Sequence, residues 1–349
     1  EVRLRQGPKA EVRVGHLALA DHRVYFEYSP EFLELGWELS PWKLPAVPEL
    51  QEHTDRSFGP LPGLFDDSLP DGWGLLLMDR HFERQGVPSE SLTPLDRLLY
   101  LGSRTMGALT YHPSHELSGP SEPLDLQVLA EEVQRAQAGH VEELLPALIR
   151  AGGSPGGARP KILAGVKGDE LLSGEDDLPE GFEHWLVKFR GSQDPPHAGL
   201  VEAAYADMAR AAGINVPPVR VFETPDGGHF FGVSRFDRLP GNRRLHMHTL
   251  GGLIHSNFRI PNCDYRILLS VTRTLTRNHQ EVVECYRRLV FNVMAHNHDD
   301  HVKNFAFLMD DEGEWSLSPA YDLNCALSPL EHSMAVNGKG TDFTRSDLL

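Results

Sequence analysis

Residues 151–160, AGGSPGGARP, hold four glycines and two prolines in ten positions. Proline lacks the N–H that helix and ladder both need, and glycine loses the most backbone freedom on being fixed, so no regular element spans this stretch. It is a loop, and whatever the chain builds before it must be joined to the later elements by a flexible, side-chain-poor connection. With 349 residues there is room for two or three domain-sized units around it.

Composition narrows the class. At 40% apolar and 24% charged the chain has material for a buried core, which excludes wholesale disorder. Thirty-three basic against fifty acidic residues give a net charge of −17, a field that repels phosphate backbones and anionic lipids. DNA is therefore reached only indirectly, through a partner or a local basic face. Cys263, Cys285 and Cys325 are an odd number without CxxC spacing, which indicates neither a disulfide framework nor a thiolate zinc site and fits a reducing cytoplasm. Residues 1–20 lack an apolar run of signal-peptide length, and no stretch of about 18 apolar residues occurs, so no membrane association is expected. Position 1 is Glu, so the native start, and with it room for an upstream domain, is expected to lie outside this sequence.

Along the chain, residues 12–28 alternate around a turn at 20–22 and predict a hairpin; leucines at 95, 98, 99 and 101 predict a short helix, followed by extended GALTYHP. Residues 114–123 are linker-like. Helical spacing then runs from 124 to 149. Beyond the Gly-rich loop, KILAGV and HWLVKF predict buried strands flanking an acidic turn, VEAAYADMARAAGI a helix closed by Gly213, and 219–222 and 229–233 two strands around PDGG. From Leu245 onward helical patterns dominate, including one helix with Val282, Tyr286, Leu289, Val290 and Val293 on one face, before FAFLM and EWSLS form a hairpin.

The chemistry concentrates in HNHDDHVKN, residues 296–304. Asp299 and Asn304 stand five apart, as do the carboxylate that takes a hydroxyl proton and the amide that holds magnesium in a kinase catalytic loop. The spacing alone is weak, but its neighbours come in order: Lys188 on a strand, where an ammonium can neutralise phosphates; Glu202 opening the next helix, able to pair with it; and Asp322 in PAYDL, 18 residues past Asn304, where a second metal carboxylate belongs. A competing reading takes His296, His298, Asp300 and His301 as an H-x-H-x-D-H set for a zinc-dependent hydrolase, although only His332 remains downstream as a further histidine ligand. A third is a polar loop that merely caps a helix. The Gly-rich loop either cradles phosphates through its N–H groups or simply links, since it lacks the Walker and Rossmann patterns. RFDR at 235–238 is either a hinge that presents backbone to an adenine edge or a surface ion-pair cluster. Asp66, Asp67 and Asp71 in FDDSLPDGWG read as solvated acids in a Pro-containing turn rather than a cation site, and His246, His248 and His255 as structural.

The ordered set SLPDGWG, GSPGGARPK, LVKFR, GINVP, RFDR, DDHVKN and SPAYD resembles the HipA family of bacterial serine/threonine kinases, the toxin half of a toxin–antitoxin pair, over about residues 11–330. The resemblance implies an α+β, two-lobed protein-kinase-like fold, divided as an N-terminal α/β subdomain (1–120), a kinase N-lobe with Gly-rich loop and hinge (121–240) and a helical C-lobe with the catalytic loop (241–349). It implies Mg²⁺ and ATP as cofactors, Asp299 as catalytic aspartate, Asn304 and Asp322 as magnesium ligands, Lys188 as the ATP-phosphate lysine with Glu202 beside it, and Ser234 and Phe236 at the adenine hinge. Ser154 matches the autophosphorylated serine of the Gly-rich loop, with Lys161 at its end. The implied partners are a helix-turn-helix antitoxin, or a fused N-terminal equivalent, and a protein substrate in translation such as an aminoacyl-tRNA synthetase. Pro155, Arg159 and Pro160 depart from the Gln-containing loop of relatives, and the sequence ends 27 residues after Asp322, where relatives continue with more helix, so a trimmed C-lobe is expected. The rival from another class is a kinase-shaped regulator that binds a partner and turns nothing over.

Overall fold

The computed structural model describes residues 1–114, 121–139, 146–152, 156–326 and 330–348. The N-terminal portion is an antiparallel sheet of β1 (Val2–Gly7), β2 (Ala10–Ala20), β3 (Arg23–Tyr28), β4 (Gln51–Glu52) and β5 (Leu109–Tyr111) in the order β4-β3-β2-β1-β5. The β2–β3 hairpin closes through Asp21 and His22 at φ 50° and 60°, the paired positive values that match a two-residue turn to strand twist. Inward residues Val2, Leu4, Val14 and Phe26 pack against Phe32 of α1 (Pro30–Leu33) and Phe65 of α2 (Gly63–Asp66). Next come α3 (Gly72–Arg84) and α4 (Pro94–Leu101), the latter started by a reciprocal Thr93–Asp96 capping box with Pro94 in its first turn.

The second sheet has the order β7-β6-β8-β10-β9, from β6 (Lys161–Lys167), β7 (Glu170–Ser173), β8 (Glu183–Lys188), β9 (Val219–Glu223) and β10 (His229–Ser234). Trp73 and Leu77 of α3 and Leu129 and Val133 of α5 (Leu126–Gln137) share one core with Ile162, Ala164 and Val187 of this sheet, while α7 (Ala198–Ala211) lies against β9 and β10 and ends just before Gly213 at φ 78°. Two expectations change here. The acidic turn after KILAGV contains β7, which closes on β6 through Gly168 and Asp169; four residues are too short a run for alternation to register. The helical stretch 124–149 is two helices, α5 and α6 (Pro146–Gly152), and α6 carries Ala151 and Gly152 into the Gly-rich stretch. Linker residues 115–120 and residues 140–145 lie outside the described residues.

The last third opens on β11 (Arg238–Leu239) and β12 (Arg243–Arg244). It then builds a sheet β13-β15-β16 from β13 (His246–Thr249), β15 (Ala306–Met309) and β16 (Trp315–Leu317), and a short parallel pair from β14 (Cys263–Asp264) and β17 (Met334–Ala335). Around them pack α8 (Leu250–Ile254), α9 (Tyr265–Thr276) and α10 (His279–Met294), whose Leu253, Leu268 and Leu289 join Phe305 and Phe307 in one core. The β15–β16 hairpin and α10 match the sequence pattern. The strand at 246–249 does not, because its histidines read as polar although they are buried. Among the described residues no helix is long and apolar enough to cross a membrane.

Candidate active site

A cleft of about 1010 Å³ runs between the second sheet and the segments around 299–304 and 320–325. Lys161, Lys188, Glu202, Ser234, Phe236, Asp299, Asn304 and Asp322 all line it; Ser154 lies outside the described residues.

The strand register brings the cations together. Lys161 opens β6 directly opposite Lys188 at the end of β8, and cross-strand partners project to the same face. Lys188 Nζ donates to Glu202 Oε2 and to Asp322 Oδ1, both at 2.6 Å. Burial works against its charge, but Asp322 and Glu202 outweigh it and hold the ammonium protonated well above its ordinary range. The same contact answers for Asp322: burial pushes its carboxyl up, Lys188 and then Lys161 pull it down further, and it stays ionised far below the usual carboxylate range. Asp322 sits at φ 56°, a conformation that non-glycine residues adopt mainly where surroundings impose it. Lys161, buried and facing another lysine, has its pKa lowered chiefly by desolvation and donates to the Gly156 carbonyl at 2.6 Å, closing the Gly-rich loop on itself. Arg159 of that loop reaches Glu202 Oε1 at 3.0 Å and Asp194 at 3.2 Å, a role the sequence reading missed by treating position 159 only as a departure.

After α10 the chain turns sharply and two adjacent aspartates diverge. Asp300 is fully buried and accepts from Tyr265 Oη at 2.6 Å and from the Ser333 N–H at 2.9 Å, with His332 Nδ1 at 2.8 Å. Asp299 faces the cleft about half exposed. Burial raises its pKa, His301 at 3.8 Å lowers it and Asp322 raises it again. Asn304 Nδ2 donates to the Asp299 carbonyl at 2.6 Å, which leaves its Oδ1 as the side-chain acceptor. The zinc reading is overturned by this arrangement: both Asp300 oxygens and His332 belong to an internal anchor, and among the described residues no three His, Cys, Asp or Glu converge to hold a metal ion.

Ser234 ends β10, and the Phe236 ring lies 5.4 Å from Tyr321 in the cleft. The rest of RFDR is a buried ion-pair knot, not a surface cluster: Asp237 takes Arg235 at 2.6 Å and Arg238 at 2.7 Å and also accepts from the Gly107 N–H. The acids of FDDSLPDGWG are likewise each held by a partner, at intermediate exposure rather than free in solvent. Asp67 Oδ2 meets His248 Nδ1 at 2.6 Å and the Thr249 N–H at 2.7 Å, Asp66 meets Lys303 at 3.4 Å, and Asp71 accepts from the Gly157 N–H. His248 is buried between Asp67 and Ser40. This N-terminal segment therefore grips both the Gly-rich loop and the loop that carries Asp299. Chemically, the cleft offers hard oxygens at Asn304 and Asp322 of the type a magnesium ion takes, cations at Lys161 and Lys188, a carboxylate free to accept a proton at Asp299, and apolar walls at Leu186, Val219 and Val233.

Residues 9–112 match the family model of the HipA N-terminal domain, and residues 153–348 that of the HipA-like C-terminal domain. "Putative kinase Y4dM" of Sinorhizobium fredii is 29% identical over 288 residues, 78% of this chain, and the chain spans 64% of that relative's length. Among solved structures, the Shewanella oneidensis HipA, HipB and operator DNA complex contains a chain that superposes with a TM-score of 0.71 at 21% identity, covering 97% of this chain and 80% of that one. At that identity the likeness is one of fold, and the fold is the α+β, two-lobed, protein-kinase-like one. Matched in order by both domain models, this chain belongs to the HipA family.

Proposed function

We propose that this chain is a serine/threonine protein kinase that transfers the γ-phosphate of Mg·ATP to a protein hydroxyl and restrains growth as a toxin. The observation that carries the reading is Lys188 held between Glu202 and Asp322 in one cleft with Asp299 and Asn304. In this reading Asp299 orients the acceptor hydroxyl and takes its proton as the oxygen attacks phosphorus and ADP leaves. Lys188 and Lys161 neutralise phosphate oxygens, and the backbone after Ser234 meets the adenine edge beside Phe236. Asn304 and Asp322 would hold the magnesium ion, which supplies charge neutralisation between the phosphates. Glu202 keeps Lys188 extended and charged.

Ser154, which lies outside the described residues, is proposed as the site of self-phosphorylation; a phosphate there adds about −1.5 to −2 charge. A helix-turn-helix antitoxin, such as the HipB named in the Shewanella complex, or a fused equivalent is the proposed partner, with DNA reached only through it, and the proposed substrate is a component of translation. Mass spectrometry after incubation with Mg·ATP tests this directly. Wild type should gain phosphate, and Ser154→Ala should lose the Gly-rich-loop phosphopeptide. A wild-type protein that neither modifies itself nor consumes ATP would favour the non-catalytic scaffold instead.

A further inference from the structure

One ring organises the cations beside Asp299. The Phe258 ring carries the Arg259 guanidinium at 4.3 Å and Lys303 Nζ at 5.0 Å from its centroid, and packs against the His301 ring at 5.3 Å. His301 Nε2 is in turn 3.8 Å from the Asp299 carboxylate. The aromatic face holds the guanidinium electrostatically without neutralising it. Lys303 is partly matched by Asp66 at 3.4 Å. Arg259, exposed at the cleft wall with Ile260 beside it, makes no side-chain ion pair among the described residues. On a chain whose net charge is −17, an exposed arginine held over a ring without an ion-pair partner at contact distance is a cation the cleft wall can offer to an anionic group.

We infer that the Phe258–Arg259 platform receives an acidic side chain of the protein substrate close to the phosphorylated hydroxyl, an inference that rests on the kinase reading above. Chained together, the contacts place the guanidinium no farther than roughly 15 Å from the Asp299 carboxylate, which an extended peptide covers in about four residues. The recognised carboxylate therefore lies within about four residues of the acceptor serine or threonine. Recognition of this kind works by difference: an acid gains a partner at the exposed cleft wall, and a lysine in its place meets like charge.

The test is a positional peptide set with one serine, neutral flanks, and Asp or Lys placed singly at each of the four positions on either side. Wild type with Mg·ATP should phosphorylate the best Asp peptide about tenfold faster, as kcat/KM, than its Lys counterpart. Arg259→Glu should reverse that order at the same position. Equal rates for Asp and Lys peptides, or an unchanged preference in Arg259→Glu, overturn the inference, as does self-phosphorylation accompanied by no transfer to any acidic peptide. Absence of all transfer, to peptides and to the protein itself, instead defeats the kinase reading.

Discussion

At the scale of single residues, Asp299 and Asp300 differ by one peptide bond and opposite surroundings: Asp300 is locked by four hydrogen-bond partners, Asp299 faces the cleft. A general base must be ionised, and the Asp299 pKa is raised by burial and by Asp322 against the pull of His301. The rate therefore falls as pH drops through a value above the roughly 3.9 of a free aspartate. Removing His301 takes away the larger of the two charges, His301 and Arg159, that favour the ionised form, so His301→Gln should move the acid limb of kcat to higher pH, read from initial rates between pH 4 and 8. A limb that stays in place or moves to lower pH contradicts that assignment. The residues whose order along the chain is diagnostic, Lys188, Glu202, Asp299, Asn304 and Asp322, were legible in the sequence. Asp67 was not, because its partner His248 is 181 residues away and nothing local distinguishes a buried aspartate from a solvated one.

At the scale of elements, the segment from α2 to α3 ties the N-terminal portion to the cleft. Gly72 sits at φ +46°, and a Cβ there would stand 2.6 Å from the Ala158 Cα and 2.8 Å from the Gly157 carbonyl oxygen, backbone atoms that cannot step aside without moving the Gly-rich loop. The neighbouring Trp73 N–H donates to Gly157 O at 3.1 Å. Gly72→Ala should therefore weaken binding of a fluorescent ATP analogue by about tenfold or more, the cost of a misplaced binding loop; affinity within twofold of wild type would mean the contact does not position the loop. Long periodic elements such as α7 and α10 and the two-residue hairpin β2–β3 follow from their sequences, since period and turn chemistry agree there. Four-residue strands β7 and β13 do not, because pairing with neighbours rather than intrinsic pattern makes them strands.

At the scale of the whole molecule, burial of histidines sets the response to acid. His184 and His255 are lowered to about 4 and His246 to about 3, each chiefly by burial. Between roughly pH 6.5 and 4 the unfolded chain binds protons at these rings that the folded chain refuses, so stability present above 6.5 is lost progressively as pH falls towards the folded values. The carboxylate Asp322, whose folded pKa is depressed, contributes above its unfolded value near 3.9 and is lost only below that. The urea midpoint should therefore be lower at pH 5 than at pH 7.5, and a flat profile across that window would contradict the burial of these rings. The kinase-like architecture was readable as an ordered set of short motifs, while the grip of the N-terminal portion on both loops of the cleft came only from three-dimensional packing. The central claim is that Asp299 is the base of a phosphoryl transfer from Mg·ATP. It is tested most directly by transfer of label from γ-labelled ATP to protein serine or threonine by wild type and Asp299→Gln, with nucleotide binding measured on both. Magnesium-dependent transfer by wild type is expected, with a loss on the order of 10²-fold or more in the variant while ATP still binds; transfer by Asp299→Gln within a few-fold of wild type, or none by wild type, would contradict it.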